Sequence, residues 1–416
     1  MTILHVDVNS AYLSWEAVRR LENGSRKDLR EIPSVVGGDP EKRSGIVLAK
    51  SIPAKAFGVR TGETLWEARE KCPDLVVVSP DYELYRKCSD ALFELLCRFS
   101  SRVQRYSVDE CFLDWTRLPG GPDDPLETAD LIRFQVRDRL GFTVNIGVST
   151  NKLLAKMASE LKKPDQIHTL FPREIPEKMW PLDVGDLFMV GRATRARLNR
   201  LNVRTIGDLA SMELWRLEAL FQKCRGRMLY EYARGIDRSL VQETGYGEWE
   251  KSISNSTTIP RDLDTIREAR MVLLALTERC AGRLRQKGLC CGLVGISLRT
   301  PDLARRSHQR VLATATDGTG ILFRTASDLL EEVWPREGVR QLGIRLGSLC
   351  GGEFHQLSLL EGPDPGRSHR LDRTVDGIRA RYGETSLIRG CFPGSNIAPL
   401  QGGVREGDYP MMSSWL

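Results

Sequence analysis

Several familiar signatures are missing from this chain, and each absence removes a class of protein. The ten cysteines, at 72, 88, 97, 111, 224, 280, 290, 291, 350 and 391, include no Cys-x-x-Cys and have no histidine pair nearby. Neither a zinc site nor a disulfide framework is therefore predicted, and reduced thiols are expected. No apolar run reaches membrane-spanning length, and the N-terminus carries no basic-then-apolar signal. A cytoplasmic chain with no membrane partner is expected, working as a monomer. A strong charge of one sign is also lacking: the net charge is +6 and the pI about 8.8. That balance permits a polyanionic partner without requiring one. At 416 residues and 41% hydrophobic content the chain is globular and too long for one small core. Roughly two to four domains follow.

What is present centres on Tyr106-Ser107-Val108-Asp109-Glu110-Cys111-Phe112-Leu113-Asp114. β-branched and aromatic residues flank two adjacent carboxylates, which predicts two short strands turning at Ser107–Glu110. Neighbouring strand residues face opposite ways, so adjacent acids fit best at a hairpin tip, where both lean toward one pocket. By itself an Asp-Glu pair of this kind is most often a solvated turn. Crowded acids raise each other's pKa unless a cation neutralises them, and Mg²⁺ with oxygen ligands suits such a pocket. The N-terminal run Ile3-Leu4-His5-Val6-Asp7-Val8 places a third acid inside an apolar strand. Buried without a partner, Asp7 would cost several kcal/mol, so it is expected at a strand end beside Asp109 and Glu110. Three carboxylates on neighbouring strands are what a two-metal phosphoryl-transfer site needs.

The segments Asp7-Val8-Asn9-Ser10-Ala11-Tyr12, Ser107-Val108-Asp109-Glu110, and Gly147-Val148-Ser149-Thr150-Asn151-Lys152 through Lys162-Lys163-Pro164 stand in a telling order. In order and spacing they resemble the Y-family translesion DNA polymerases, in the DNA polymerase IV and UmuC-like branch, from the first residue to about Leu349. The resemblance implies an α/β and α+β right-hand architecture. The palm would take residues 1–18 and 78–168, small fingers 19–77, and a helix-hairpin-helix thumb 169–236. A linker over 237–250, a ferredoxin-like little finger over 251–350 and a tail over 351–416 complete it. The activity implied is template-directed addition of deoxynucleotides to a primer 3′ end, with low fidelity and no proofreading. Asp7, Asp109 and Glu110 would be catalytic, holding two Mg²⁺ together with the Val8 carbonyl. A non-catalytic DNA-binding and clamp-bridging member of the same fold is the alternative, and a metal nuclease or phosphatase a third.

Tyr12 reads either as a ring packed at a helix start or, by resemblance, as a steric gate against the ribose 2′-hydroxyl. Lys55 and Lys163 would meet the triphosphate of the incoming deoxynucleoside triphosphate; lysines at a helix C-terminus are also favourable with the dipole alone. Where the family often has an aromatic, Ile52 stands, and where it often has glycine, Met189. Gly191 would present amide groups to a phosphate of the primer-template DNA. Residues 251–350 read as strand, helix 264–287, strand 293–299, strand 308–315, helix 319–334 and strand 340–349, a split βαβ order. Val294, Ile296 and Leu298 alternate with Ser297 and Arg299, and Leu342, Ile344 and Leu346 with Gly343, Arg345 and Gly347. One face is thus apolar and the other small and basic, with Arg299 and Arg345 toward DNA. Gln356, Leu357, Leu359 and Leu360 resemble a sliding-clamp-binding peptide. Residues 368–382 are expected to form an amphipathic helix with Leu371, Val375, Ile378 and Tyr382 as its apolar stripe.

Overall fold

The computed structural model describes residues 1–39, 45–115, 124–243, 251–335, 337–352, 365–397 and 399. They form two compact units, one built mainly from residues 1–37 and 47–243, the other mainly from 251–397.

In the first unit, β1 (Thr2–Val8) leads into α1 (Ala11–Glu22). A small sheet follows from β2 (Ser34–Gly37), β3 (Val47–Lys50) and β4 (Val76–Val78), ordered β3-β2-β4, with α2 (Ile52–Ala56) and α3 (Leu65–Lys71) between its last two strands. A capping box starts α3, where Thr64 and Glu67 satisfy each other's backbone N–H. Next come α4 (Tyr82–Leu96), β5 (Val103–Arg105), β6 (Glu110–Trp115), α5 (Pro125–Leu140), β7 (Val144–Ser149), α6 (Lys152–Glu160) and β8 (Ile167–Thr169). Asp124 caps α5, whose first residue is proline and whose end is Gly141 at φ 74°, so both termini are written locally.

The main sheet runs β5-β6-β1-β7-β8 and puts the first strand at its centre. That position explains why β1 is buried along nearly its whole length. Leu4, Val6 and Val8 sink into one cluster with Trp15, Leu92, Leu96, Ile132 and Ile146. The opposite face of the sheet receives α6, which Gly147 allows to approach closely. A Cβ there would stand 1.9 Å from the Ala155 carbonyl oxygen and 2.5 Å from the Ser159 nitrogen.

Beyond β8, α7 (Arg192–Asn199), α8 (Ile206–Ala210), α9 (Leu214–Phe221) and α10 (Lys223–Ala233) pack around Leu198, Ile206, Leu209, Leu217 and Leu229. Leu153, Leu154, Met157 and Ala158 of α6 join the same cluster. The stretch read as a linker begins attached: Asp237 accepts from the Leu153 N–H at 3.2 Å, and Val241 is buried with Ile3, Phe112 and Ala155.

The second unit is strand, helix, strand, strand, helix, strand, as expected: β9 (Ser252–Leu263), α11 (Ile266–Gln286), β10 (Leu289–Arg299), β11 (Arg305–Thr316), α12 (Thr319–Val333) and β12 (Val339–Gly351). Across its antiparallel sheet the order is β11-β10-β12-β9. Each helix therefore links two strands that have a third between them, the split βαβ arrangement. Val294, Ile296, Leu342, Ile344 and Leu346 turn inward against both helices, as their alternation requires.

The expected apolar stripe of the last helix is corrected by α13 (Pro365–Tyr382). Leu371 and Tyr382 are exposed and Val375 and Ile378 only half-buried, while among the described side chains of this helix Asp372 is buried. The helix docks by charge. Buried Arg285 pairs with Asp376 at 2.5 Å and Asp372 at 3.6 Å, while Arg379 and Arg389 both reach buried Glu278. Phe392 and Ile397 then enter the apolar cluster of this unit. Periodicity registers apolar residues, so a helix held by ion pairs presents it with a false face. Gln356, Leu357, Leu359 and Leu360 lie outside the described residues.

Candidate active site

The hairpin forms as expected, and its second strand is laid directly along β1. Asp7 pairs with Glu110 and His5 with Phe112, so in the antiparallel register Asp7 and Glu110 point to one face. Asp109 sits just before that strand, and its carbonyl accepts the Val8 N–H at 3.1 Å. Asp7 and Glu110 are thus direct partners, with Asp109 and Val8 joined through the backbone. Among the described residues, no three His, Cys, Asp or Glu side chains close on one point tightly enough to hold a cation as they stand. Asp7 and Glu110 each already hold an ammonium group.

Those ammonium groups come from α6 and its end. Lys156 Nζ lies 2.5 Å from Glu110 Oε2, and Lys163 pairs with Asp7 and, at 2.9 Å, with Glu160. Lys163 therefore meets a carboxylate in this chain rather than standing free at a helix terminus. Sequence reasoning assigned Lys156 no role and passed over His5. His5 is completely buried, with Nε2 3.2 Å from Glu110 Oε2 and Nδ1 2.8 Å from Ser159 Oγ. Burial lowers the pKa of the ring, opposed by its hydrogen bond to Glu110. Nε2 faces the Glu110 carboxylate and Nδ1 the Ser159 hydroxyl, which itself donates to the Lys156 carbonyl at 2.8 Å. The place of His5 two residues before Asp7, on the same face of the strand, was the available signal.

Asn9 and Asn145 were missed as well. Asn9 donates to Asn145 Oδ1 at 3.0 Å, and Asn145 donates to the carbonyls of Ser159 and Lys162 at 3.0 and 2.6 Å. The Asp165 N–H and Thr143 hydroxyl donate to Asn9 Oδ1. This buried network fixes the end of α6 to β1 and β7, which aims Lys163 at Asp7.

The electrostatics separate the three acids. Burial raises the Asp7 carboxyl to about 6 against the opposing charge of Lys163, with Glu110 adding to the rise. Burial also raises Asp109, opposed by the Ser107 hydroxyl. At Glu110 burial loses to the hydrogen bonds and charges of His5 and Lys156, which bring it down to about 2. Oxygen-only donors, two of them destabilised as anions by burial, suit a hard divalent cation in chemistry. Asp7 would take it on releasing Lys163, and Glu110 through Oε1, the oxygen that Lys156 does not hold.

Tyr12 does pack at the start of α1. Its ring stacks on Tyr85 at 4.4 Å and 11°, with the edge of Tyr82 at 6.3 Å. Tyr85 in turn donates to buried Glu16 at 3.0 Å, and Glu16 holds Arg19. Lys55 is exposed on α2, close enough that its charge and that of Arg60 reinforce burial in lowering the pKa of Lys50. Ile52 is exposed. Gly191 is the N-cap of α7 with open space beside it. Met189 holds φ 72°, a conformation that favours glycine. In the second unit Arg345 lies between Gly295 and Ser254 in register, and Arg299 shares a polar notch with Ser256, Ser297, Arg305 and Gln341.

Comparison with known proteins matches residues 6–160 to the impB/mucB/samB family, 250–359 to its C-terminal domain, and 185–237 to a DNA polymerase-iota thumb domain. DNA polymerase IV of Clostridium acetobutylicum is 45% identical over 93% of this chain and 97% of its own length. The chain belongs to the Y family of DNA polymerases. As a member of this translesion family it is a DNA-directed DNA polymerase, and Y-family enzymes depend on metal. DNA polymerase IV of Acetivibrio thermocellus is 37% identical over 93% of the chain and 96% of that protein. The Y-family fold is shared with a solved chimera of Dbh and Dpo4 at a TM-score of 0.71 and 22% identity, over 84% of this chain and 99% of that one. Among the described residues no helix is long and apolar enough to cross a membrane.

Proposed function

We propose that this enzyme adds deoxynucleotides to a primer 3′ end by two-metal nucleotidyl transfer, with low fidelity and without proofreading. One observation carries the reading: Asp7 and Glu110 are register partners on one face, with Asp109 bonded to the backbone of Val8 beside them. Asp7, Asp109, Glu110 and the Val8 carbonyl hold two Mg²⁺. Held there, Mg²⁺ would supply a lowered pKa at the primer hydroxyl and positive charge against the triphosphate and leaving pyrophosphate. Lys163 and Lys55 bind phosphate oxygens, Lys163 turning from Asp7 to do so. The Tyr12 ring, backed by Tyr85, leaves no room for a 2′-hydroxyl.

Residues 1–18 and 78–168 act as palm, 19–77 as fingers, 169–236 as thumb, 237–250 as linker and 251–350 as little finger. Gly191, Arg299 and Arg345 hold duplex phosphates. Gln356, Leu357, Leu359 and Leu360 bind a sliding clamp, and the enzyme works as a cytoplasmic monomer. Primer extension by the wild type and by Asp109→Ala tests the centre of this reading. Extension by the first and none by the second is expected. No extension by either overturns it in favour of a non-catalytic DNA-binding role, and shortening of the primer in favour of a nuclease.

A further inference from the structure

Two cysteines face each other where the sheet of the second unit ends. Cys290 on β10 is directly opposite Cys350 on β12, between the pairs Leu289–Gly351 and Cys291–Leu349. Directly opposed residues on antiparallel strands have Cα atoms about 4.5–5.5 Å apart, within the span a disulfide takes. The Cys350 thiol already reaches across the ladder, 3.8 Å from the Cys290 carbonyl oxygen.

The two thiols differ in access. Cys350 is exposed and Cys290 is buried. The chain beside the buried sulfur is glycine: a Cβ on Gly352 would lie 3.6 Å from Cys290 Sγ. Cys291 belongs to the apolar cluster, and its thiol is directed to the Thr316 carbonyl at 3.5 Å, which removes it from competition.

We propose that Cys290 and Cys350 are a thiol-oxidation site that forms a reversible disulfide with a peroxide as oxidant. The Cys350 thiolate attacks one peroxide oxygen, the O–O bond breaks, and Cys350 becomes a sulfenic acid as hydroxide leaves. The Cys290 sulfur then attacks the Cys350 sulfur. The S–S bond forms, the S–O bond breaks, and the hydroxyl departs with the Cys290 proton as water. Two thiols lose two electrons and hydrogen peroxide becomes two waters. A dithiol reductant reverses the step by exchange. The bond ties β12 to β10 one residue before Gly351-Gly352, and so fixes the point at which the chain leaves the sheet.

The test uses the full chain with hydrogen peroxide at low protein concentration, then alkylation and peptide mapping without reductant. The wild type is expected to lose alkylation at 290 and 350 together, to yield a linked peptide that dithiothreitol removes, and to raise its thermal midpoint on oxidation. Cys290→Ser and Cys350→Ser should each yield no link, and Cys350→Ser, at an exposed position, should keep the unoxidised midpoint while losing the rise. The proposal fails if 290 and 350 stay alkylatable at a peroxide concentration that oxidises exposed Cys224 and Cys391. It fails equally if the bridge forms between chains, or if Cys350 accumulates as sulfinic acid with Cys290 still free.

Discussion

His5 Nε2 and Lys156 Nζ converge on a single oxygen of Glu110, Oε2, at 3.2 and 2.5 Å. Among the described residues none claims Oε1, which is left for another ligand. Outer donors of this kind orient a metal-binding carboxylate, and their loss lowers metal affinity about 10- to 100-fold. His5→Leu should weaken Mn²⁺ binding by that factor in a paramagnetic resonance titration, and His5→Gln, which keeps a donor, should restore most of it. With Glu110→Ala as reference, equal affinity of His5→Leu and wild type would show that His5 positions nothing. Affinity unchanged in Glu110→Ala would instead remove the metal site itself.

Acid–base behaviour follows from Asp7, raised by burial to about 6. A carboxyl with a higher pKa folded than unfolded binds more protons when folded, so its contribution is full below about pH 4 and is lost as pH rises through 6. The loss is on the order of 3 kcal/mol. Glu110, held near 2, has the opposite sign: its contribution is present above about pH 4.5 and is lost as pH falls through 2. Metal-free enzyme should therefore lose stability between pH 4 and 7 through Asp7. Mg²⁺ should raise the thermal midpoint more at pH 7.5 than at pH 5. Calorimetry in which Mg²⁺ acts equally at both values, or acts undiminished on Asp7→Asn, would contradict this.

Sugar discrimination depends on Tyr12 and on what stands behind it. Tyr12→Ala should admit ribonucleotides outright. Tyr85→Ala removes the stacked ring, worth about 0.5–1.5 kcal/mol, and should relax selectivity about 2- to 10-fold. Tyr85→Phe keeps the ring and should change little. The ratio of kcat/KM for deoxy- over ribonucleotide reads this directly, and a Tyr85→Ala enzyme as selective as wild type would separate the stack from the gate.

Close packing of β7 on α6 makes Gly147 intolerant of any side chain. Gly147→Ala should cost at least about 1–3 kcal/mol in urea unfolding, because the contacting atoms are backbone and cannot rotate away. Gly191→Ala, with nothing within 4 Å, should unfold like wild type.

Arg299→Ala and Arg345→Ala should weaken binding to any duplex sequence alike. Each should reduce the slope of log affinity against log salt by about 1, measured by anisotropy. A change in sequence preference with an unchanged slope would mean that neither reaches a phosphate.

The sequence by itself determined the elements and which carboxylates belong together. Caps at Thr64, Asp124 and Asn151, the glycine after α5 and the alternation in β10 and β12 are local signals, readable without knowing the fold. Asp7, Asp109 and Glu110 stood out because acids in apolar strands need a reason to be there. The tertiary structure alone decided what meets them. His5 lies 105 positions from Glu110 in the chain, and Lys163 lies 156 from Asp7. A place on the strand face of Asp7 marks His5 as near the acids, but nothing in a histidine's or lysine's immediate neighbours records which carboxylate strand register and helix approach will bring to it. The charge-held α13 was misread for the same reason: a hydrophobic pattern reports burial in water-excluding contacts, while an ion pair is defined only once both partners have been brought together in space.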